Sequence, residues 1–319
     1  GIGASAGGLE ALEELFDNMP SDTGMAFVIV THQHPGHTSL LPDLLGKYTD
    51  MPVIQAKDGT VLEQDSVYVN PPGEQTLLKG GLIRVTPGSQ KEHMRLPIDS
   101  FFRSLARERK EYAICIVLSG TGTDGTLGLK AVKAEGGLAM VQDVGSARYG
   151  GMPASAIGTE LADYAMPPSE MPPQLTAYAQ ALTARGVPAG EKGAEPAGFD
   201  DAMKAIFRLV RTYTGHDFSS YKPNTMLRRI NRRMTVHQLK EPEDYVSHLR
   251  ENPDEIDVLF KDLLIGVTGF FRDPEAFKAL KNHLRSVMTS CPDDYAFRVW
   301  IPGCGSGEEA YTLAILFRE

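Results

Sequence analysis

The chain has 319 residues, of which 42% are hydrophobic and 23% charged, the balance of an ordinary globular protein with room for two domains and part of a third. A net charge of −9 argues against a general nucleic-acid binder. No run of about 18 apolar residues or signal peptide predicts membrane insertion or export, and three scattered cysteines, Cys115, Cys291 and Cys304, predict no disulfide framework or metal site but a reducing, cytoplasmic setting.

The opening, GIGASAGG over residues 1–8, is a glycine-rich turn leading into a helix from Leu9, and is expected to follow a strand upstream of the chain. Residues 25–31 (MAFVIVT) read as a buried strand, and 66–69 and 82–85 as two more. Residues 98–111 have helical spacing after Pro97, a favoured first-turn proline. A buried strand at 112–118 (YAICIVL), a helix at 124–135 and a strand at 138–142 follow. This alternation predicts an α/β domain with a doubly wound, mainly parallel sheet over 1–180. The stretch TARGVPAGEKGAEPAG, 183–198, is rich in Gly, Ala and Pro and reads as a linker, placed at 181–198.

From 199 to 290 the pattern is helical, with candidate helices at 200–212, 223–236, 243–252, 253–265 and 274–288, forming an all-α subdomain. A strand at 296–301 (AFRVWI), a glycine turn and a helix then open a second α/β unit at 291–319. Starting on Gly1 and stopping at Glu319 inside a helical pattern, the chain reads as a piece of a longer protein.

Three residues carry candidate chemistry. Ser5 lies in the glycine turn, where small neighbours admit a substrate and helix-end N–H groups can meet an oxyanion. His32 ends the strand at 25–31, where a histidine can take a proton from serine. Asp124, in LSGTGTDG at 118–125, follows another strand and can orient that histidine; alternatively it caps the next helix. Gly1, Gly3 and Ala6 also fit the G-x-G-x-x-A of a dinucleotide-binding turn, but that motif wants an acidic residue at the end of the next strand, where Thr31 and His32 stand.

Between Met203 and Lys240, nine Lys or Arg stand against Asp217 alone. Arg228, Arg229, Arg232 and Arg233 fall at helical spacing, and the run reads either as a face for an anionic partner or as a solvated helix surface.

Four ordered motifs, GIGASAGG, VIVTHQHPGH, LSGTGTDG and YGGMPASA, resemble the catalytic domain of the chemotaxis protein-glutamate methylesterases over about residues 1–180. The resemblance implies Ser5 as nucleophile, His32 as general base and Asp124 as its orienting partner. It also implies hydrolysis of glutamyl γ-methyl esters on methyl-accepting chemotaxis receptors, glutamine deamidation in many members, and no cofactor. Ala6 stands where relatives often have Thr, and Thr121 where many have Met. These departures keep a catalytically idle signalling module as the alternative.

The second half resembles the chemotaxis protein-glutamate methyltransferases, which use S-adenosylmethionine. Residues 266–273 (GVTGFFRD) are similar to that family's N-x-T-x-F-F-R signature, with Gly266 in place of Asn, which implies that Thr268 and Arg272 contact the cofactor or the reacting carboxylate. WIPGCGSGEEAY, 300–311, resembles the first cofactor motif, implying roles for Gly303, Gly305 and Glu309, or Glu308 in its place. The same resemblance implies that the arginine run faces the receptor's acidic methylation helices. The Rossmann-like methyltransferase sheet is expected to be truncated, so this chain is expected neither to methylate nor to bind the cofactor tightly.

Overall fold

A computed structural model of the chain describes residues 1–33, 39–87, 96–184, 199–266, 270–292, 295–305 and 307–318. These form two compact units, Gly1–Ile265 and Gly266–Glu319.

The first unit opens with β1 (Ile2–Ala4), α1 (Gly8–Asp17), β2 (Ala26–Thr31), α2 (Leu41–Leu45), β3 (Val53–Gln55), β4 (Thr60–Val61), β5 (Ser66–Val69), β6 (Glu74–Lys79) and β7 (Leu82–Pro87). It continues with α3 (Pro97–Arg109), β8 (Ile114–Val117), α4 (Thr126–Ala134), β9 (Leu138–Gln142), α5 (Gly151–Ile157), β10 (Tyr164–Met166) and α6 (Met171–Ala184). Seven strands make one sheet in the order β10-β9-β8-β1-β2-β5-β3, with every described pairing parallel. Strands β4, β7 and β6 form a small antiparallel sheet, tied to α3 where Ser104 Oγ accepts the Leu78 N–H at 2.9 Å.

Strand side chains alternate between faces, and here both faces are apolar. Phe27 and Ile29 join one core with Leu12, Leu15 and Phe16 of α1 and Leu175 of α6. Val28 and Val30 join the other with Phe101 and Phe102 of α3 and Leu129 of α4. Helices therefore cover both sides, as a doubly wound sheet requires. The strand expected upstream of the chain is β1 itself. It has only three residues and lies at the sheet's centre between β2 and β8, too short to register as an apolar run. Neither β3, β6, β10 nor α6 was anticipated from the sequence pattern.

Four helices follow in the same unit: α7 (Phe199–Thr214), α8 (Pro223–Val236), α9 (Pro242–Glu251) and α10 (Pro253–Leu264). Ile206, Ile230, Tyr245, Leu249 and Leu259 are the centre of their core. Prolines open three of them, at a position where the missing N–H has no helical acceptor to lose.

The arginine run of α8 is neither a solvated surface nor an open face for a partner. Arg229, Arg232 and Arg233 are buried. Arg232 pairs with Asp163 and Asp262, and its Nε donates to Gly137 O at 2.9 Å. Arg233 pairs with Glu255 and reaches Asp163 at 3.3 Å. Lys133 of α4 bridges Asp163 at 2.9 Å and Asp262 at 3.1 Å. Charge spacing along a helix cannot reveal an acidic partner such as Asp163, nearly seventy positions away in the chain, so the sequence offered only a partner face or a solvated surface.

The second unit holds α11 (Pro274–Met288) and α12 (Glu308–Arg318). The strand expected at 296–301 does not form. A strand needs a neighbour for its N–H and C=O groups, and none pairs with it among the described residues. Val299 and Trp300 are accordingly exposed, Trp300 at 88%. Among the described residues no helix is long and apolar enough to cross a membrane.

Candidate active site

Three strands of the first unit end on one rim of the parallel sheet. Ser5 follows β1, His32 follows β2, and Asp124 lies in the loop after β8. The chain leaves β1 toward β2 and later returns to β8 on its other side, so this rim is where strand order reverses. Open α/β sheets form their crevices at such a point, outside the carboxyl ends of the strands.

The three side chains form one hydrogen-bonded line. Ser5 Oγ lies 2.9 Å from His32 Nδ1, and His32 Nε2 lies 3.0 Å from Asp124 Oδ2. With an ionised aspartate the neutral imidazole carries its proton on Nε2, which leaves Nδ1 to accept from serine. His32 is partly open to solvent, whereas Asp124 is 2% exposed.

A buried carboxylate is costly unless its oxygens are satisfied. Asp124 Oδ2 accepts the Ile98 N–H at 3.1 Å, and Oδ1 accepts those of Asp99 and Gly125, both at 2.9 Å. Ile98 and Asp99 lie in the first turn of α3, whose N–H groups have no partners inside the helix. Asp124 therefore caps a helix, but α3 and not the one that follows it, whose own N-cap residue is Gly125. This arrangement leaves Oδ2 turned to His32.

Other scaffold residues were not singled out in the sequence. Asn70, buried just past β5, accepts the Thr31 N–H at 2.9 Å and donates to Thr31 O at 3.0 Å, fixing the backbone next to His32. Gln33 Nε2 donates to Asn70 O at 3.1 Å. A polar residue directly after the buried run SVYV was the available signal. Gly120 must lack a side chain, because a Cβ there would stand 2.1 Å from Met152 Sδ. The YGGMP segment thus packs flat against the loop that bears Asp124, with Met152 N–H donating to Gly120 O at 2.9 Å. Asp99, buried beside Asp124, accepts the Gly128 N–H at 2.7 Å, and burial raises its carboxyl pKa above the usual aspartate range.

A cleft of about 380 Å³ opens over the line, bounded by Ser5, His32, Leu9, Leu40, Leu41 and Pro72. Leu40 is 65% exposed, so the mouth is apolar. His34 and His37 lie outside the described residues. No group of His, Cys, Asp and Glu suited to a metal ion occurs among the described residues.

The expected cofactor residues belong to the second unit. Thr268 lies outside the described residues, and Arg272 is exposed. Gly303 and Gly305 have φ of 72° and 61°, left-handed backbone that glycine adopts without strain. A Cβ at Gly303 would meet nothing within 4 Å, and Glu309 faces solvent. Among the described residues no strand directly precedes this turn.

Three stretches of the chain match known families. Residues 1–175 match the family described as CheB methylesterase, 201–264 the CheR methyltransferase all-alpha domain, and 266–319 the CheR methyltransferase SAM binding domain. An uncharacterised 104.1 kDa protein of Rhodobacter capsulatus is 37% identical over 87% of this chain and 31% of its own length. A protein-glutamate methylesterase/protein-glutamine glutaminase of Burkholderia orbicola is 36% identical over 58% of this chain and 54% of its own. The chain thus spans about a third to a half of these relatives. The crystal structure of the Thermotoga maritima CheB methylesterase catalytic domain superposes with a TM-score of 0.52 at 31% identity, covering 55% of this chain and 95% of that one. A three-strand rim, a Ser-His-Asp line and a family match over residues 1–175 together place this chain in the CheB methylesterase family, continued by CheR methyltransferase domains.

Proposed function

We propose that this chain hydrolyses glutamyl γ-methyl esters on methyl-accepting chemotaxis receptors, with Ser5, His32 and Asp124 as its catalytic residues. The observation that carries the reading is the unbroken line from Ser5 Oγ through His32 to the buried Asp124. In place of the sequence-based boundaries at 180 and 290, residues 1–184, to the end of α6, are assigned to the catalytic domain, 199–265 to the helical methyltransferase domain and 266–319 to the opening of its cofactor domain; residues 185–198, expected as linker, lie outside the described residues.

Ser5 Oγ attacks the ester carbonyl carbon while its proton passes to His32 Nδ1. The Asp124 carboxylate stabilises the imidazolium through the Nε2–H it accepts. The tetrahedral intermediate collapses, its C–O bond to the methoxy group breaks, and methanol leaves with the proton from His32. Water, deprotonated by His32, then attacks the glutamyl ester of Ser5 and restores the serine. The same steps on a glutamine side chain release ammonia, as the glutaminase half of the relatives' names suggests.

The developing oxyanion needs N–H donors from the turn. Ser5 N–H is engaged by Ser119 O at 2.9 Å and Gly8 N–H by Ser5 O at 2.9 Å, which leaves those of Ala6 and Gly7. S-adenosylmethionine serves the methyltransferase part of the full protein, and no methyl-transfer step is assigned to residues 266–319. Calorimetry of this chain with the cofactor is expected to show no micromolar binding.

The test is methanol release from a methylated receptor cytoplasmic fragment by this chain and by its Ser5→Ala variant. Release that disappears in the variant supports the esterase and its nucleophile. Absence of release by the unaltered chain overturns the reading in favour of a binding module.

A further inference from the structure

The hydrogen bonds of Ser119 go neither to His32 nor to Asp124, yet three of its groups are spent around the nucleophile. It follows β8, is fully buried, and its neighbour Gly120 pairs with Gly150. Its carbonyl accepts the Ser5 N–H at 2.9 Å. Its hydroxyl donates to Ala6 O at 2.8 Å and accepts the Tyr149 N–H at 3.0 Å. Its own N–H donates to Oε1 of Gln142 at 2.8 Å, and Gln142 is itself 2% exposed at the end of β9.

A trans peptide is planar, so fixing a carbonyl fixes the N–H of the same unit in the opposite direction. The bond from Ser119 Oγ to Ala6 O therefore aims the Gly7 N–H. The bond from Gly8 N–H to Ser5 O aims the Ala6 N–H in the same way. Gly7 takes φ of 66°, and a Cβ there would stand 2.9 Å from Ser119 Oγ, so a side chain at this position would collide with the hydroxyl. Without the hydroxyl, the Ala6–Gly7 peptide loses what holds its plane.

We propose that Ser119, backed by Gln142, is a positioning residue that sets the Gly7 N–H as an oxyanion donor and holds Ser5 in register. It acts only through the backbone of the turn. The role rests on the esterase reading above, but the orientation itself can be measured without turnover.

The experiment compares this chain with its Ser119→Ala and Ser119→Thr variants. Ester hydrolysis by Ser119→Ala is expected to fall in kcat by about 10- to 100-fold, in line with partial loss of one oxyanion donor, with KM within about twofold because the cleft is untouched. Ser119→Thr, which restores the hydroxyl, is expected to recover most of kcat. Amide hydrogen exchange over residues 5–8 is expected to speed up in Ser119→Ala and to stay slow in Ser119→Thr. If Ser119→Ala does not fold, Ser119→Cys, with a poor donor of similar size, takes its place with the same expectations.

An unchanged kcat, or equal losses in the Ala and Thr variants, overturns the proposal. Should the unaltered chain release no methanol, the esterase reading fails, and the exchange comparison still decides whether Ser119 orders the turn. Unchanged exchange at residues 5–8 would sink the positioning role by itself.

Discussion

Arg232 of α8 and Asp163 at the entry to β10 are an ion pair in which both side chains are almost fully buried. Asp163 belongs to the sheet domain, where its other oxygen accepts the Ala139 N–H at 2.9 Å. Arg232 belongs to the helical layer. The pair joins parts of the chain that sequence reading separates by a linker, and Tyr164 adds a neutral link by donating to Val236 O at 3.0 Å.

Arg232→Ala is expected to destabilise the first unit by about 3–5 kcal/mol, the usual cost of removing one partner from a buried pair. Asp163 and Asp262 would then share only Lys133 and Arg233. Arg232→Lys is expected to recover little, since an ammonium cannot span two carboxylates and the Gly137 carbonyl as the planar guanidinium does. Urea unfolding measures both. A loss for Arg232→Ala within about 0.5 kcal/mol, typical of a surface change, would show that the pair contributes nothing.

The same network sets the response to acid. Burial alone would raise the Glu255 pKa, but hydrogen bonds from His237 and Arg233 outweigh it and bring the carboxyl from 4.5 down to about 2. Burial likewise opposes ionisation of Asp163, and Arg232, Lys133 and Arg233 outweigh it, holding the carboxyl well below the usual range. Both groups bind protons more weakly when folded than when unfolded. Their contribution is therefore complete above about pH 4.5 and drains away as pH falls toward 2. Thermal unfolding followed from pH 7 to pH 3 should show this decline, and Glu255→Gln should flatten it while lowering stability at neutral pH. A slope left unaltered by Glu255→Gln would assign acid sensitivity elsewhere.

Asp124→Asn is expected to lower ester turnover by about 10³–10⁴-fold. The neutral amide cannot stabilise the His32 imidazolium. Its one oxygen also cannot serve both His32 and the N–H groups of Ile98, Asp99 and Gly125. The start of α3 should suffer too, by about 1–3 kcal/mol, the cost of leaving buried donors unpaired. Turnover and melting temperature read on one preparation separate the two effects. Activity kept within about tenfold would remove Asp124 from the catalytic line.

Much was legible in the residue order. The alternating runs at 26–31, 114–117 and 138–142 announced a buried parallel sheet, because both strand faces are apolar and only a two-sided layer buries them. Prolines at 97, 253 and 274 marked helix starts, because within a helix only the first turn can take a proline without losing a hydrogen bond. Ser5, His32 and Asp124 could be named as strand-end residues on one rim, since strand and turn signals are local.

What surrounds them was not legible. That His32 presents Nδ1 to serine and Nε2 to aspartate, that Asp124 caps α3, and that Arg229, Arg232 and Arg233 are buried follow from contacts between segments far apart in the chain. Local patterning fixes which residues prefer strand, helix or turn. It carries no information on which carboxylate a given arginine meets, because that depends on how two layers dock. Sequence by itself thus announced the long buried strands, most of the helices and three candidate site residues at strand ends. Tertiary packing alone decided the direction of the imidazole, the satisfaction of the buried carboxylate, and whether an arginine-rich helix faced water or protein.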